Sequence, residues 1–122
     1  MEQDLIERFV KERGFIRAWQ KKLATYDPIV FERYLRDSSE ALTKGPLPRK
    51  YAELIGVAVD AATTHLYKGG LRVHIRGALA NGATKEEILQ VLKIVALLGI
   101  HTFSIGIPIL DEELERCRKE KI

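Results

Sequence analysis

The sequence contains a single cysteine, Cys117, among its 122 residues. One thiol cannot form an internal disulfide, a CxxC redox pair or a multi-cysteine metal site, so we interpret Cys117 as a partly packed helix residue. The chain also lacks the HExxH motif of zinc enzymes, the GxSxG motif of serine hydrolases and the glycine-rich loops that bind phosphates or dinucleotides. These absences exclude the commonest motif-defined enzyme classes and give no reason to expect a metal ion.

Long apolar runs and a secretion signal are also missing from the sequence. No stretch reaches about 18 uninterrupted apolar residues, the length that a membrane-spanning helix needs. The acidic start Met1-Glu2-Gln3-Asp4 has neither the basic residues nor the apolar middle of a signal peptide. We therefore expect a cytoplasmic protein with no membrane partner.

Charge of one sign is not concentrated anywhere in the chain. The sequence has 20 Lys and Arg residues and 17 Asp and Glu residues, which gives a formal net charge of +3. The basic residues are interleaved with acidic ones, as on solvated helix faces, whereas nucleic-acid-binding proteins usually gather their cations on one face. We therefore expect no nucleic-acid partner.

Helical periodicity dominates what the sequence does contain. The chain is 46% hydrophobic and is long enough for one domain. Apolar residues recur at helical spacing, and no alternating strand pattern of useful length occurs. The sequence therefore predicts an all-α, single-domain helical bundle with about six helices. The first four predicted helices span about residues 3–25 (weakened or broken at Gly14), 28–43, 48–66 and 71–81.

Short local signals mark the helix boundaries. Asp27-Pro28 predicts a helix start, because Asp can cap a helix and Pro fits its first position. Gly45-Pro46-Leu47-Pro48 predicts a linker, and Gly69-Gly70 predicts an interruption before the fourth helix. Thr84 and Glu87 have the spacing of a capping box, which predicts the start of a fifth helix.

The fifth helix is apolar over most of its surface, from Ile88 to Ile100. A helix of this kind is buried centrally or lies in a contact between subunits. Gly106-Ile107-Pro108 predicts the end of this region, and Asp111 can cap a last, charged helix.

The candidates for chemistry are one glutamate and the three histidines of the chain. Glu53 and His65 are 12 residues apart, which is about 18 Å along one helix, so they can meet only if the chain folds back. Gly69-Gly70 permits such a turn. An antiparallel hairpin would then return His74 toward Glu53, whereas His101 follows on the apolar helix.

Histidine next to a carboxylate is a common arrangement for moving protons. The imidazole ring gives and accepts a proton near neutral pH, and the carboxylate fixes its tautomer and orientation. A metal site is a weaker interpretation, because His65 and His74 are nine residues apart rather than on one helical face. Asp60 is unusual as a carboxylate among apolar neighbours, and we expect it to face solvent or an arginine.

Two segments of the chain resemble a known family. Leu47–Ile55 reads LPRKYAELI, and His74–Ile88 reads HIRGALANGATKEEI. Together they resemble the signature of the carboxymuconolactone decarboxylase and alkylhydroperoxidase D superfamily. The resemblance covers about residues 45–110, which we take as the core of the domain, with N-terminal helices over 1–44 and a C-terminal helix over 111–122.

The hydroperoxidase branch of this superfamily implies a proton relay of a Glu, a CxxC pair and a His. Glu53 and His74 match that Glu and that His, but no cysteine stands at the positions that the spacing allows. Thiolate is the nucleophile of that branch. Thiol-dependent peroxidase activity is therefore disfavoured.

The decarboxylase branch implies a lyase for 4-carboxymuconolactone, an unsaturated lactone acid. The lactone carbonyl can take up the electrons that carbon dioxide leaves behind, so the reaction needs no cofactor. The resemblance implies His74 as the proton donor, Glu53 as the residue that orients it, and His65 as a donor to the oxyanion or to a carboxylate. Further candidates for binding the substrate are Arg72, Arg76, Lys68 and His101.

Members of this superfamily form trimers, hexamers or larger rings. The apolar fifth helix agrees with such assembly, so we expect a homo-oligomer, a trimer or a hexamer, that binds a small carboxylate. The alternative is a non-catalytic binding or assembly protein on the same scaffold, which would need no catalytic histidine.

Overall fold

The structure, a computed structural model, describes residues 2–120, and within this range the chain forms helices and turns without a strand. The prediction of an all-α fold is confirmed. The helices are α1 (Glu2–Arg13), α2 (Ala18–Tyr26), α3 (Pro28–Thr43), α4 (Arg49–Ala61), α5 (Lys68–Ala80), α6 (Lys85–Ala96) and α7 (His101–Glu120), and a 3₁₀ turn over Leu97–Ile100 joins α6 to α7.

The first three helices pack around an apolar core of their own. Leu5 and Phe9 of α1 pack with Phe31 and Leu35 of α3, and none of the four is more than 4% exposed. The ring centroids of Phe9 and Phe31 lie 5.6 Å apart. Gly14 has φ +94°, a conformation that suits glycine, and it breaks the first predicted helix into α1 and α2.

Two helices begin at the predicted caps. The Asp27 side chain accepts a hydrogen bond of 3.1 Å from the N–H of Val30, and Pro28 is the first residue of α3. The N–H of Thr84 donates to Glu87 at 2.9 Å, and the N–H of Glu87 donates to the Thr84 hydroxyl at 3.1 Å. Caps of this kind stabilise a helix by about 1 kcal/mol each, and the second one fixes the start of α6.

Helices α4 and α5 form the predicted antiparallel hairpin, which is the most extensive helix pair among residues 2–120. Leu54 of α4 and Ala78 of α5 pack with Ala83 and Ile88 in a second apolar cluster. Helix α6 rests on α4, and α3 joins this hairpin to the N-terminal helices.

The predicted boundary between these two helices is wrong by several residues. Helix α4 ends at Ala61 rather than near residue 66, because the backbone leaves the helical conformation at Ala62, whose ψ is 138°. The chain then turns through Leu66, whose φ is +45°. The turn is closed by a hydrogen bond of 2.8 Å from the N–H of Tyr67 to the carbonyl of Asp60. Gly69-Gly70 does not interrupt the helices but lies in the first turn of α5, where glycine allows close contact with α4.

The predicted helix end at Gly106-Ile107-Pro108 is also wrong, because Pro108 lies inside α7. Proline removes one backbone hydrogen bond and usually kinks a helix rather than ending it when both flanks are helical. Asp111 therefore lies within α7 and does not begin a separate helix. Ion pairs of Arg116 with neighbouring glutamates add support near the C-terminal end.

The helical run Lys85–Glu120 presents a long apolar surface to solvent. Only 6% of its most apolar 18-residue segment is buried. Among residues 2–120, it is the one helical run that could cross a membrane, judged by length and composition alone. The sequence predicted that the apolar helix lies either at the centre of the domain or in a contact between subunits. The structure excludes a position at the centre of the domain. Its exposed apolar side chains include Ile94, Leu97, Ile100, Phe103, Ile105 and Leu114.

Candidate active site

Helices α4 and α5 approach each other closely at two glycines, one on each helix. A methyl group placed on Gly77 would lie 2.5 Å from Cδ of Glu53, and one placed on Gly56 would lie 2.5 Å from Cγ of His74. Carbon atoms do not approach so closely without a clash. Glycine at both positions therefore provides the space in which the Glu53 and His74 side chains meet.

Glu53 is a buried carboxylate with two partners. It is 1% exposed, its Oε1 accepts a hydrogen bond of 2.9 Å from Nε of Arg49, and its Oε2 lies 2.8 Å from Nδ1 of His74. Burial raises the pKa of Glu53, but the hydrogen bonds from His74 and Arg49 outweigh this effect and bring the pKa below its ordinary value. Glu53 is therefore ionised at neutral pH and can fix the orientation of the His74 ring.

A second carboxylate, Asp60, lies near the other nitrogen of the His74 ring. Its Oδ2 is 3.6 Å from Nε2 of His74, and its Oδ1 is 3.0 Å from Nε2 of His65. Asp60 is 7% exposed, whereas half of the His65 side chain is exposed. The side chains therefore form a row that leads from the buried pair of Arg49 and Glu53 to solvent at His65.

Asp60 corrects one expectation from the sequence. It faces neither open solvent nor an arginine, because the hairpin places it between two histidines. A methyl group on Gly70 would lie 2.0 Å from its Oδ2, so glycine at the start of α5 makes room for this carboxylate. The sequence indicated only that Asp60 was out of place among apolar neighbours.

His74 and Asp60 border a cavity of about 560 Å³ that extends from the hairpin to the N-terminal helices. This volume is in the range of sites for small molecules. Leu42, Leu47, Ile55 and Val59 form its apolar part, whereas its polar residues include Arg13, Arg17, Tyr34, His65 and Tyr67. A small acid with an apolar body fits this mixture of side chains.

Sequence reasoning missed Arg13 and Arg17, which reach this cavity from the junction of α1 and α2. Nη1 of Arg17 donates a hydrogen bond of 2.8 Å to the Tyr67 hydroxyl. Tyr34 is also held in place, since its hydroxyl accepts a hydrogen bond of 2.9 Å from the Gln20 side chain. In the sequence, the only indication of this role was that Arg13 and Arg17 lie on either side of Gly14. Helix ends that face solvent have the same pattern.

The other predicted substrate-binding residues lie elsewhere. Arg72, Arg76 and Lys68 border a different cavity, of about 510 Å³, along another face of α5, and the Arg76 guanidinium lies 4.2 Å from the centroid of the Phe15 ring. His101 is exposed on α7, with Nδ1 3.2 Å from the Ser104 hydroxyl. The structure therefore brings Glu53, His65 and His74 together but does not bring these four residues to them.

Metal ligation and thiol chemistry find no support in the described part of the chain. Between residues 2 and 120, no group of three or more His, Cys, Asp or Glu side chains is arranged to hold a metal ion. Cys117 is partly buried on α7 and does not border the cavity at His74. The polar residues at this cavity include cations that can bind an acid and a histidine that can transfer a proton.

Comparison with known proteins assigns the chain to a family. A sequence model of the carboxymuconolactone decarboxylase family matches residues 29–100, which is more than half of the chain. The chain belongs to the carboxymuconolactone decarboxylase family. The match includes Glu53, Asp60, His65 and His74, whereas Arg13 and Arg17 precede it.

Two crystal structures of carboxymuconolactone decarboxylase family proteins from Burkholderia xenovorans LB400 are similar to this chain. One, provisionally named a gamma-carboxymuconolactone decarboxylase subunit, is 41% identical with a TM-score of 0.79 over 94% of this chain. This chain spans only 46% of that protein's length. The other, provisionally named a carboxymuconolactone decarboxylase, is 26% identical with a TM-score of 0.66 over 86% of this chain and 80% of its own. No curated protein sequence matches the chain.

Proposed function

We propose that this protein is a cofactor-independent decarboxylase for a small carboxylated lactone such as 4-carboxymuconolactone. The observation that carries the proposal is the position of His74. Nδ1 of its ring is held by the ionised Glu53, its Nε2 lies 3.6 Å from Oδ2 of Asp60, and the residue borders the cavity. A ring held in this way can deliver a proton from Nε2 to a bound substrate.

The chemistry proceeds in two steps on the bound lactone. First, the bond from the ring carbon to its carboxylate breaks, carbon dioxide leaves, and the electron pair moves through the double bond into the lactone carbonyl. The resulting dienolate then takes a proton at carbon from Nε2 of His74, and the carbonyl re-forms. His65 lies at the exposed end of the site and is our candidate for stabilising the negative charge on the lactone oxygen.

Each turnover consumes one proton, which must come from solvent. Asp60 lies 3.0 Å from Nε2 of the half-exposed His65 and 3.6 Å from Nε2 of His74. This row supplies a route by which a proton from solvent returns to His74 through His65 and Asp60. Glu53 stays outside the route, because it binds the opposite nitrogen of the ring.

The test is carbon dioxide release from 4-carboxymuconolactone by the purified protein and by two histidine variants. His74→Asn should lower kcat by a factor of about 10² to 10⁴, the usual contribution of a general acid or base. His101→Asn is the matched control, because His101 lies outside the cavity. It should retain full activity, and light scattering should show that its assembly matches that of the wild type. A wild-type protein that binds the lactone but releases no carbon dioxide would instead favour a non-catalytic binding protein.

We also propose that the protein assembles into a cytoplasmic homo-oligomer, a trimer or a hexamer. This proposal is supported by the exposed apolar side chains along Lys85–Glu120, of which Leu97 is 67% exposed and Ile105 is 64% exposed. Burial of such a surface against another copy would be favourable by about 25 cal/mol for each Å² removed from water.

A further inference from the structure

Two guanidinium groups from the N-terminal helices reach the cavity with buried donors that lack partners. Arg13 is the last residue of α1, and Arg17 directly precedes α2. Within residues 2–120, Nε and Nη1 of Arg13 and Nε of Arg17 are buried and have no hydrogen-bond partner. Buried polar groups are nearly always hydrogen-bonded, so unpartnered donors beside a cavity require an acceptor, which a bound ligand or an ordered water can supply.

The surroundings of Arg17 hold its side chain in place before a ligand binds. Its guanidinium lies 5.1 Å from the ring centroid of Trp19 and 5.4 Å from that of Tyr67, and it donates to the Tyr67 hydroxyl. The backbone N–H of Tyr67 in turn donates to the carbonyl of Asp60. Tyr67 lies on the turn between α4 and α5, so its contacts with Arg17 fix the position of the guanidinium relative to His65, Asp60 and His74.

Within residues 2–120, neither Arg13 nor Arg17 forms a direct ion pair with a carboxylate, although Glu53 lies close enough to Arg13 to attract its charge. Burial lowers the pKa of Arg13, but an arginine side chain keeps its proton in proteins. Among residues 2–120, Arg49 is the arginine that pairs with Glu53, whereas neither Arg13 nor Arg17 lies within 4.0 Å of a carboxylate oxygen. The cavity thus holds two unpaired positive charges close to its apolar wall.

We infer that Arg13 and Arg17 form the subsite for the carboxylate that the substrate retains. The inference rests on the proposed function, since 4-carboxymuconolactone carries one carboxylate that leaves and a second one on an acetate arm. Guanidinium groups bind carboxylates with two parallel, charge-assisted hydrogen bonds. Such a clamp anchors the lactone by the part of the molecule that does not react.

The alternative, a clamp on the departing carboxylate, would slow the reaction. Negative charge moves from that carboxylate into the lactone ring as carbon dioxide forms, so arginine contacts there would stabilise the ground state more than the transition state. Contacts with the retained carboxylate stabilise both states equally.

A stable ligand that carries only the retained carboxylate tests binding at this subsite without any reaction. The lactone 5-oxotetrahydrofuran-2-ylacetate has the acetate arm but neither the departing carboxylate nor the double bond, and its methyl ester removes the charge. Titration calorimetry should show that wild-type protein binds the acid about 10 to 100 times more tightly than the ester, the range for hydrogen bonds to charged groups. Arg17→Gln and Arg13→Gln should each reduce this preference for the acid by about tenfold or more.

Arg72→Gln is the matched control, because Arg72 borders the other cavity, and it should leave the preference unchanged. Thermal unfolding establishes that each variant is folded. If Arg13→Gln fails to fold, Arg13→Lys keeps the charge without the forked donors and should still weaken binding of the acid. Equal binding of acid and ester by the wild type, or an equal loss in Arg72→Gln and Arg17→Gln, would overturn the inference.

The subsite and the proposed function can fail separately. A protein that prefers the acid through Arg13 and Arg17 but releases no carbon dioxide from 4-carboxymuconolactone would keep the subsite and overturn the proposed function. Carbon dioxide release with an unchanged KM in Arg13→Gln and Arg17→Gln would keep the function and overturn the subsite. With both correct, the two variants should raise KM for 4-carboxymuconolactone with a smaller change in kcat.

Discussion

Nδ1 of His74 lies 2.8 Å from Oε2 of Glu53, although the two residues are 21 positions apart in the chain. The hairpin of α4 and α5 brings them together, and Gly56 and Gly77 let the helices approach closely enough for the contact. The carboxylate can therefore orient the imidazole ring without sharing the cavity with a substrate.

Glu53→Gln should lower both activity and stability. Removing one partner of a buried ion pair leaves Arg49 without its countercharge, which typically costs about 3 kcal/mol in the free energy of unfolding. Activity should also fall, because a neutral amide holds the His74 ring less firmly. Chemical denaturation and carbon dioxide release measure the two effects, and an unchanged free energy of unfolding would contradict the ion-pair assignment.

The stability difference between wild type and Glu53→Gln should depend on pH. The folded protein lowers the pKa of Glu53, so its stabilising contribution is fully present above the unfolded-state value, which is about 4.3 for glutamate. The contribution is lost as pH falls from that value through the lower pKa of the folded state. Denaturation of both proteins across this acidic range should show the difference shrinking, whereas a constant difference would contradict the prediction.

Gly77→Ala should damage the site even though alanine favours helices. The added methyl group would displace the buried Glu53 carboxylate, and overpacking of this kind costs about 2 kcal/mol. Gly99→Ala is the control, because no atom lies within 4 Å of a methyl group at that position, and its stability should change by less than about 1 kcal/mol. Equal effects in thermal unfolding of the two variants would show that space at Gly77 is unimportant.

His65→Asn should slow the return of protons to His74 without abolishing catalysis. Its ring connects the buried Asp60 with solvent, so the variant should show a lower kcat that recovers when imidazole is added to the assay. His74→Asn should not recover in the same way, because it lacks the group that protonates carbon. If added imidazole leaves the His65→Asn rate unchanged, the proposed proton route is incorrect.

Leu97→Glu and Ile105→Glu should dissociate the oligomer without unfolding the subunit. Both side chains are more than 60% exposed in the single chain, so a charge there disturbs only a subunit contact. Tyr26→Glu on α2 is the control, because Tyr26 is 77% exposed and lies far along the chain from the apolar run. Light scattering measures the assembly, and a monomeric wild type would remove the basis for this prediction.

The sequence alone determined the helical class and two of the helix starts, and it indicated a hairpin that could bring His74 toward Glu53. Caps act between residues three positions apart, as in Asp27 with Val30 and Thr84 with Glu87, so they can be recognised from local spacing. The sequence indicated that a turn could bring His74 back toward Glu53, but it placed this turn at Gly69-Gly70, whereas the chain turns through Leu66 between the end of α4 and the start of α5. The end of α4 and the passage of α7 through Pro108 were mispredicted, because glycine and proline permit more than one outcome.

Only the tertiary structure determined which residues surround Glu53 and His74. Asp60 lies between two histidines because α5 returns along α4, and Arg13 and Arg17 reach the cavity because the N-terminal helices pack against the hairpin through α3. Arg72 and Arg76, which are much closer to His74 in the sequence, lie on another face of the same helix. Local spacing fixes the face on which a side chain lies, but the packing of distant helices determines which charges share a cavity.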